Sequence, residues 1–136
     1  MKTYDKLIRD KIPEILNEKG IEFGVRIADK NEYIDKLYLK LQEELNEFVL
    51  NPSAEEIADM LEVIEAMARL HGIGLDDIKK EKIDKKTKRG GFAKKIVLEW
   101  TDEKNENVVI RDGSHVTLDM GDNKPLDKNF KTSGTE

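Results

Sequence analysis

Two clusters of carboxylates have the residue types and the spacing for chemistry: Glu43-Glu44-Leu45-Asn46-Glu47, and, a little further on, Glu56-Ile57-Ala58-Asp59. Carboxylate oxygens are hard donors, the ligands that Mg²⁺ takes while it keeps several of its waters. Side chains three residues apart on a helix lie on one face, so Glu44 with Glu47, and Glu56 with Asp59, each make a pair. Two such pairs on adjacent helices repel one another unless a proton or a cation joins them. A divalent cation held by Glu44, Glu47, Glu56 and Asp59 is the chemistry this spacing suggests, with Mg²⁺ as the ion and Mn²⁺ as its substitute.

Both clusters sit on segments with helical periodicity, joined by the break Asn51-Pro52-Ser53. In the first, Ile34, Leu37, Leu41, Leu45 and Phe48 share one apolar stripe. Glu44 falls about 20° outside the edge of that stripe, whereas Glu43 lies nearly opposite it and reads as solvated. In the second, the run from Ile57 to Leu70 is apolar over roughly 220° of its circumference, and Glu56 and Asp59 fall inside that arc. The polar face already has Glu55, Glu62, Glu65 and Arg69. The bland alternative is a set of ordinary surface acids in a chain of which 39% is charged. Burial of a carboxylate costs several kcal/mol without a compensating partner, and the wheel places these acids where that cost applies.

The remaining elements are marked by their ends. Pro13 and Gly20 bracket a short helix. Phe23, Val25 and Ile27 alternate as a short strand or an extended connector. Asn31 caps the first long helix, with Asp29 as the alternative, and Ser53 with Glu56 forms a capping-box pattern before the second. Glu56 is thus a capping acid or a metal ligand; the same oxygens cannot serve both roles. Gly72 ends the second helix after His71, which reads as a packing or dipole-complementing residue. A lysine-rich third helix runs from Asp76 or Asp77 to about Lys88 and leads into Lys88-Arg89-Gly90-Gly91-Phe92, where glycines let backbone amides approach a phosphate. Beyond it, Val108-Val109-Ile110 and Val116-Thr117-Leu118 flank Asp112-Gly113 as a β-hairpin signal, and the chain from Asp119 on is polar and expected to be mobile.

Charge is divided along the chain. Between Glu32 and Glu65 stand ten acidic residues and two basic ones; between Lys79 and Lys95, nine basic and two acidic. An acidic centre and a basic strip together suit a metal-bound polyphosphate. The net charge of −5 argues against nucleic acid as the main partner. The chain has no cysteine, so disulfides and thiol chemistry are excluded, and no Glu-x-x-His pair, which excludes a di-iron carboxylate bundle. With no apolar run of membrane-spanning length and no signal-peptide pattern, a cytoplasmic protein without a membrane partner is expected.

Glu43-Glu44-x-x-Glu47 followed by Glu56-x-x-Asp59 resembles the metal-binding signature of the all-α nucleoside triphosphate pyrophosphohydrolases, the superfamily of MazG-like proteins, dimeric dUTPases and phosphoribosyl-ATP pyrophosphohydrolase. Tyr4-Asp5-Lys6-Leu7-Ile8-Arg9-Asp10-Lys11-Ile12-Pro13 and Lys88-Arg89-Gly90-Gly91-Phe92 are similar to a branch of short proteins taken to clear unwanted nucleotides. The resemblance covers residues 2 to 99. It implies a mainly all-α fold, a MazG-like helical bundle in residues 1–99; residues 100–136 lie beyond it and read, from their own pattern, as a C-terminal extension of hairpin and tail. It implies Mg²⁺-dependent hydrolysis of a nucleoside triphosphate, or a phosphoribosyl-ATP-like nucleotide, at the α–β bond. Glu44, Glu47, Glu56 and Asp59 become the metal ligands, Glu44 and Glu47 the catalytic pair, and Arg9, Lys11, Lys88 and Arg89 the cations that meet phosphate. For Arg9 and Lys11 the plain alternative is a solvated basic face.

Helices that are apolar over half their circumference call for a homodimer or homotetramer. Two rival functions share parts of this pattern: a nucleotide- or metal-sensing helical module without turnover, and a structural helical oligomer whose basic strip contacts RNA.

Overall fold

The computed structural model describes residues 1–102, 108–111 and 115–118. The protein is mainly helical. Its helices are α1 (Ile12–Glu18), α2 (Lys30–Leu50), α3 (Ala54–Leu70) and α4 (Leu75–Arg89). The chain divides into two compact units, Met1–Lys79 and Lys80–Glu136, and α4 spans the boundary.

In the first unit, residues 51–53 fold α3 back against α2 as a helical hairpin. Its core is small: among the described residues Leu37, Val63 and Ala68 are the buried apolar side chains. The start of α2 corrects the sequence reading. The cap is Asp29 rather than Asn31, and its carboxylate accepts a 2.9 Å hydrogen bond from the Glu32 amide. Asp29 places Glu32 at the third helical position, the spacing of a capping box, which Asn31 does not offer. Glu32 instead takes both Arg26 guanidinium nitrogens at 2.6 Å, which ties the preceding connector to the helix. Asp29→Ala is expected to lower stability by about 1 kcal/mol, read as a shift in urea midpoint.

Ser53 caps α3 as expected, accepting from the Glu56 amide at 3.2 Å. At the other end the Ile73 amide reaches the Ala68 carbonyl at 2.8 Å and the Gly72 amide the Arg69 carbonyl at 3.1 Å, with Gly72 at φ +69°. That is a Schellman closure, and the left-handed residue is the glycine the sequence supplies. The helix α1 follows Lys11, holds Pro13 in its first turn and stops at Gly20, φ +70°. Residues 21–29 form an extended connector without strand pairing, and Phe23, Val25 and Ile27 are exposed. Alternation alone does not make a strand; a neighbouring edge must accept its hydrogen bonds.

Residues 1–9 have no helix or strand, yet they are anchored. Lys36 on α2 donates to the Asp5 carbonyl at 2.7 Å and pairs with the Asp5 carboxylate at 3.0 Å. Lys6 pairs with Glu43 on α2 at 3.0 Å, and Arg9 with Asp59 on α3 at 2.7 Å. This N-terminal strap therefore lies along the same helices that carry the acids.

Helix α4 buries none of its side chains. It ends at Gly90, φ +84°, whose amide bonds the Lys86 carbonyl at 2.9 Å. In the second unit Val108–Arg111 (β1) and His115–Leu118 (β2) are antiparallel, with Val109 opposite Thr117 and Ile110 opposite Val116. The Asp112-Gly113 turn and the tail from Asp119 onward lie outside the described residues.

Candidate metal centre

Helix geometry carries three of the sequence-selected acids to one place. One carboxylate oxygen each from Glu44 on α2 and from Glu56 and Asp59 on α3 lies within 4.8 Å of the other two. Glu44 is the buried member, at 9% exposure. Leu45, placed inside the apolar stripe by the wheel, is 48% exposed. The packing of α3 against α2 has turned the acid inward and the leucine outward. An isolated wheel has no knowledge of where the neighbouring helix sits.

At Glu56 the structure bears on the capping half of the motif. Only half of the capping box is made: Ser53 accepts from the Glu56 amide, while Oε1 of Glu56 is buried with no hydrogen-bond partner. Its carboxyl is pushed above the ordinary carboxylate range, first by burial and then by the negative charges of Asp59, Glu44, Glu47 and Glu55. A buried acceptor without a donor, among other acids, is an arrangement that a cation relieves. Oxygens bound to Mg²⁺ at about 2.1 Å stand roughly 3 to 4 Å apart, so small side-chain rotations suffice to bring the three onto one ion. The donor set and the orphaned oxygen both fit a hard divalent cation.

Glu47 is exposed and stands outside this trio, close enough for its charge to be felt at Glu56. Built-in cations surround the acids. Lys40, whose side chain is 16% exposed, lies 3.5 Å from Glu44 and 3.4 Å from Glu43. Lys6 holds the far oxygen of Glu43, and the hydrogen bond from Lys6 and the charge of Lys40 outweigh burial to keep the Glu43 carboxyl below its ordinary range. Arg9 caps Asp59. Lys40 is the residue that sequence reasoning missed. Its signal was local, since it precedes Glu43 and Glu44 by three and four positions on one helix.

Of the other residues expected to meet phosphate, Lys11 directly precedes α1, makes no side-chain capping bond, and is exposed. Lys88 is exposed and Arg89 half-buried in the last turn of α4. Gly90 is accounted for by the left-handed helix end it makes, independently of any phosphate. A depression of about 510 Å³ lined by Asn17, Gly20, Ile21, Glu22 and Phe23 includes none of the acidic trio. Compared with protein-family models, with curated proteins and with solved structures, the chain matches none.

Proposed function

We propose that this protein is a Mg²⁺-dependent nucleoside triphosphate pyrophosphohydrolase built on a MazG-like helical bundle, cleaving the α–β bond to give a monophosphate and pyrophosphate. The observation that carries the reading is the trio of Glu44, Glu56 and Asp59, one buried and one with an orphaned oxygen, set on a two-helix hairpin. Glu44, Glu56 and Asp59 hold the ion, with Glu47 at the rim as the fourth carboxylate and the partner of Glu44 in catalysis. Bound there, Mg²⁺ supplies polarisation of the phosphate and a water of lowered pKa.

The chain's own residues do the rest. Lys40 balances the charge of Glu44 and Glu43, so that the acidic centre tolerates a polyanion beside it. Arg9 and Lys11 supply phosphate contacts from the strap and the start of α1; a guanidinium suits phosphate best because its fork donates two parallel hydrogen bonds. On the resemblance alone, Lys88 and Arg89 are further substrate cations. No nucleophilic side chain is needed. The test is incubation with a panel of normal and modified nucleoside triphosphates, with Mg²⁺ or with a chelator. Pyrophosphate that appears only with the metal supports the reading. Metal-dependent nucleotide binding without turnover supports a sensing module instead.

Assembly belongs to the same proposal. Leu39, Leu45, Val49, Leu50, Leu61 and Ile64 on α2 and α3 are all at least 40% exposed, an apolar surface that a second copy covers in a helical bundle. Light scattering is expected to give two or four times the chain mass of 15.6 kDa; a value near one chain contradicts a homo-oligomer. Among the described residues no helix is long and apolar enough to cross a membrane.

A further inference from the structure

We infer that Arg9 is a displaceable counter-ion of the acidic centre: it holds Asp59 until a metal-bound triphosphate arrives, then exchanges the carboxylate for a phosphate oxygen. The inference rests on Glu44, Glu56 and Asp59 being the metal ligands, and it adds a rule for their occupation. Free metal competes with Arg9 for Asp59, whereas metal carried by a triphosphate brings Arg9 a new partner. Metal and nucleotide then bind with positive coupling.

Among the described residues, the two cations paired with the trio are held differently. Lys40 comes from α2 itself, one turn before Glu44, and its side chain is 16% exposed. It is fixed by the helix and has Glu43 as a second partner. Arg9 comes from the strap, its side chain is 56% exposed, and its pairing with Asp59 at 2.7 Å is the bond that ties it down. An ion pair so open to solvent is weak, about 1 kcal/mol or less, and its release is correspondingly easy. Losing it does not free the strap. Lys6 on Glu43 at 3.0 Å, and Lys36 on the Asp5 carbonyl and carboxylate at 2.7 and 3.0 Å, keep the segment on α2. Arg9 is therefore free to turn while its backbone stays beside the site.

The oxygens explain the competition. Asp59 Oδ1 accepts from Arg9, while Oε1 of Glu56 has no partner. The unfilled valence of the cluster sits on one acid and the competing cation on its neighbour one turn along the same helix. An incoming divalent ion gains Glu56 without displacing a side chain, and gains Asp59 against the positive charge of Arg9 and its hydrogen bond to Oδ1. A phosphate on that ion removes the cost, because it offers the guanidinium oxygens in place of the single Asp59 oxygen it held, and a guanidinium can take two of them at once.

The test measures Mn²⁺ binding, not turnover, by electron paramagnetic resonance of the free ion, for the wild type, Arg9→Gln and Asp59→Asn. Each is titrated alone and with a non-hydrolysable α,β-methylene nucleoside triphosphate. Arg9→Gln is expected to bind Mn²⁺ alone about fivefold more tightly than the wild type, and to lose most of the tightening that the nucleotide confers on the wild type. Arg9→Lys is expected to fall between them. If Asp59→Asn weakens Mn²⁺ binding but Arg9→Gln matches the wild type with and without nucleotide, the exchange is wrong while the metal site stands. If the wild type binds no Mn²⁺ at millimolar concentration, the metal site and the exchange both fall. Circular dichroism melts of the variants exclude unfolding as the cause.

Discussion

Glu44→Gln is expected to lower kcat/KM for metal-dependent pyrophosphate release by at least about 100-fold while leaving the helical fold in place. Substitution of groups that merely support metal ligands costs about 10- to 100-fold, so loss of a buried ligand belongs at or beyond the top of that range. Glu44 is the acid whose burial gives it little freedom to be replaced by water. The amide keeps the shape of the side chain, and Lys40, deprived of Glu44, retains Glu43 at 3.4 Å. The variant therefore tests chemistry rather than packing. Glu62→Gln is the control: Glu62 lies on the exposed face of α3, 3.7 Å from Arg69, and its loss is expected to leave turnover unchanged. Equal loss in both variants would make the effect one of bulk charge.

Glu56→Gln is expected to do two opposite things. Without divalent metal it raises the melting temperature by a few degrees, because it removes a charge whose cost nothing in the cluster offsets. With millimolar Mg²⁺ the order reverses, since the wild type gains binding free energy and the variant does not. The pH dependence follows from the sign of the shift. The folded-state pKa of Glu56 is raised, so the folded protein binds more protons than the unfolded one over that interval, and stability falls as pH rises through it. The cost is absent below the ordinary carboxylate range and complete above the raised value. The advantage of the metal-free variant should thus vanish below the ordinary carboxylate range and grow as pH rises through the raised value. Glu43 and Glu32 behave in the opposite sense. Their folded-state values are depressed, and the stability they add is lost on acidification, but it is common to both proteins and cancels in the difference. A metal-free Glu56→Gln protein less stable than the wild type at neutral pH would show that the Glu56 carboxylate is a structural asset, contrary to the proposal that it is a metal ligand.

How much of this was legible in the sequence depends on the range of the forces involved. Ser53, Gly72 and the Pro13–Gly20 pair announce helix ends because capping is chemistry among neighbours, and each performs as its type dictates. The choice between Asn31 and Asp29 was also local, and the spacing to Glu32 held the answer. The pairing of Glu56 with Asp59 follows from one helical turn. The inward turn of Glu44 and the exposure of Leu45 do not, because they are fixed by where α3 lies against α2. Arg9 on Asp59 and Lys6 on Glu43 are further still from anything a linear pattern contains: they join an irregular segment to helices far along the chain. Apolar alternation at residues 23–27 left a strand and an extended connector open, and among the described residues no strand pairs with it, so the segment is the connector.

The most direct measurement is product identification from a nucleoside triphosphate panel turned over by the wild-type protein with Mg²⁺, resolved by ion-exchange chromatography. The account predicts a nucleoside monophosphate and pyrophosphate in equal amounts for at least one triphosphate, and neither product when the metal is chelated. Orthophosphate with a diphosphate, products that persist without metal, or no product from any triphosphate despite a folded protein that binds Mg²⁺ would contradict it.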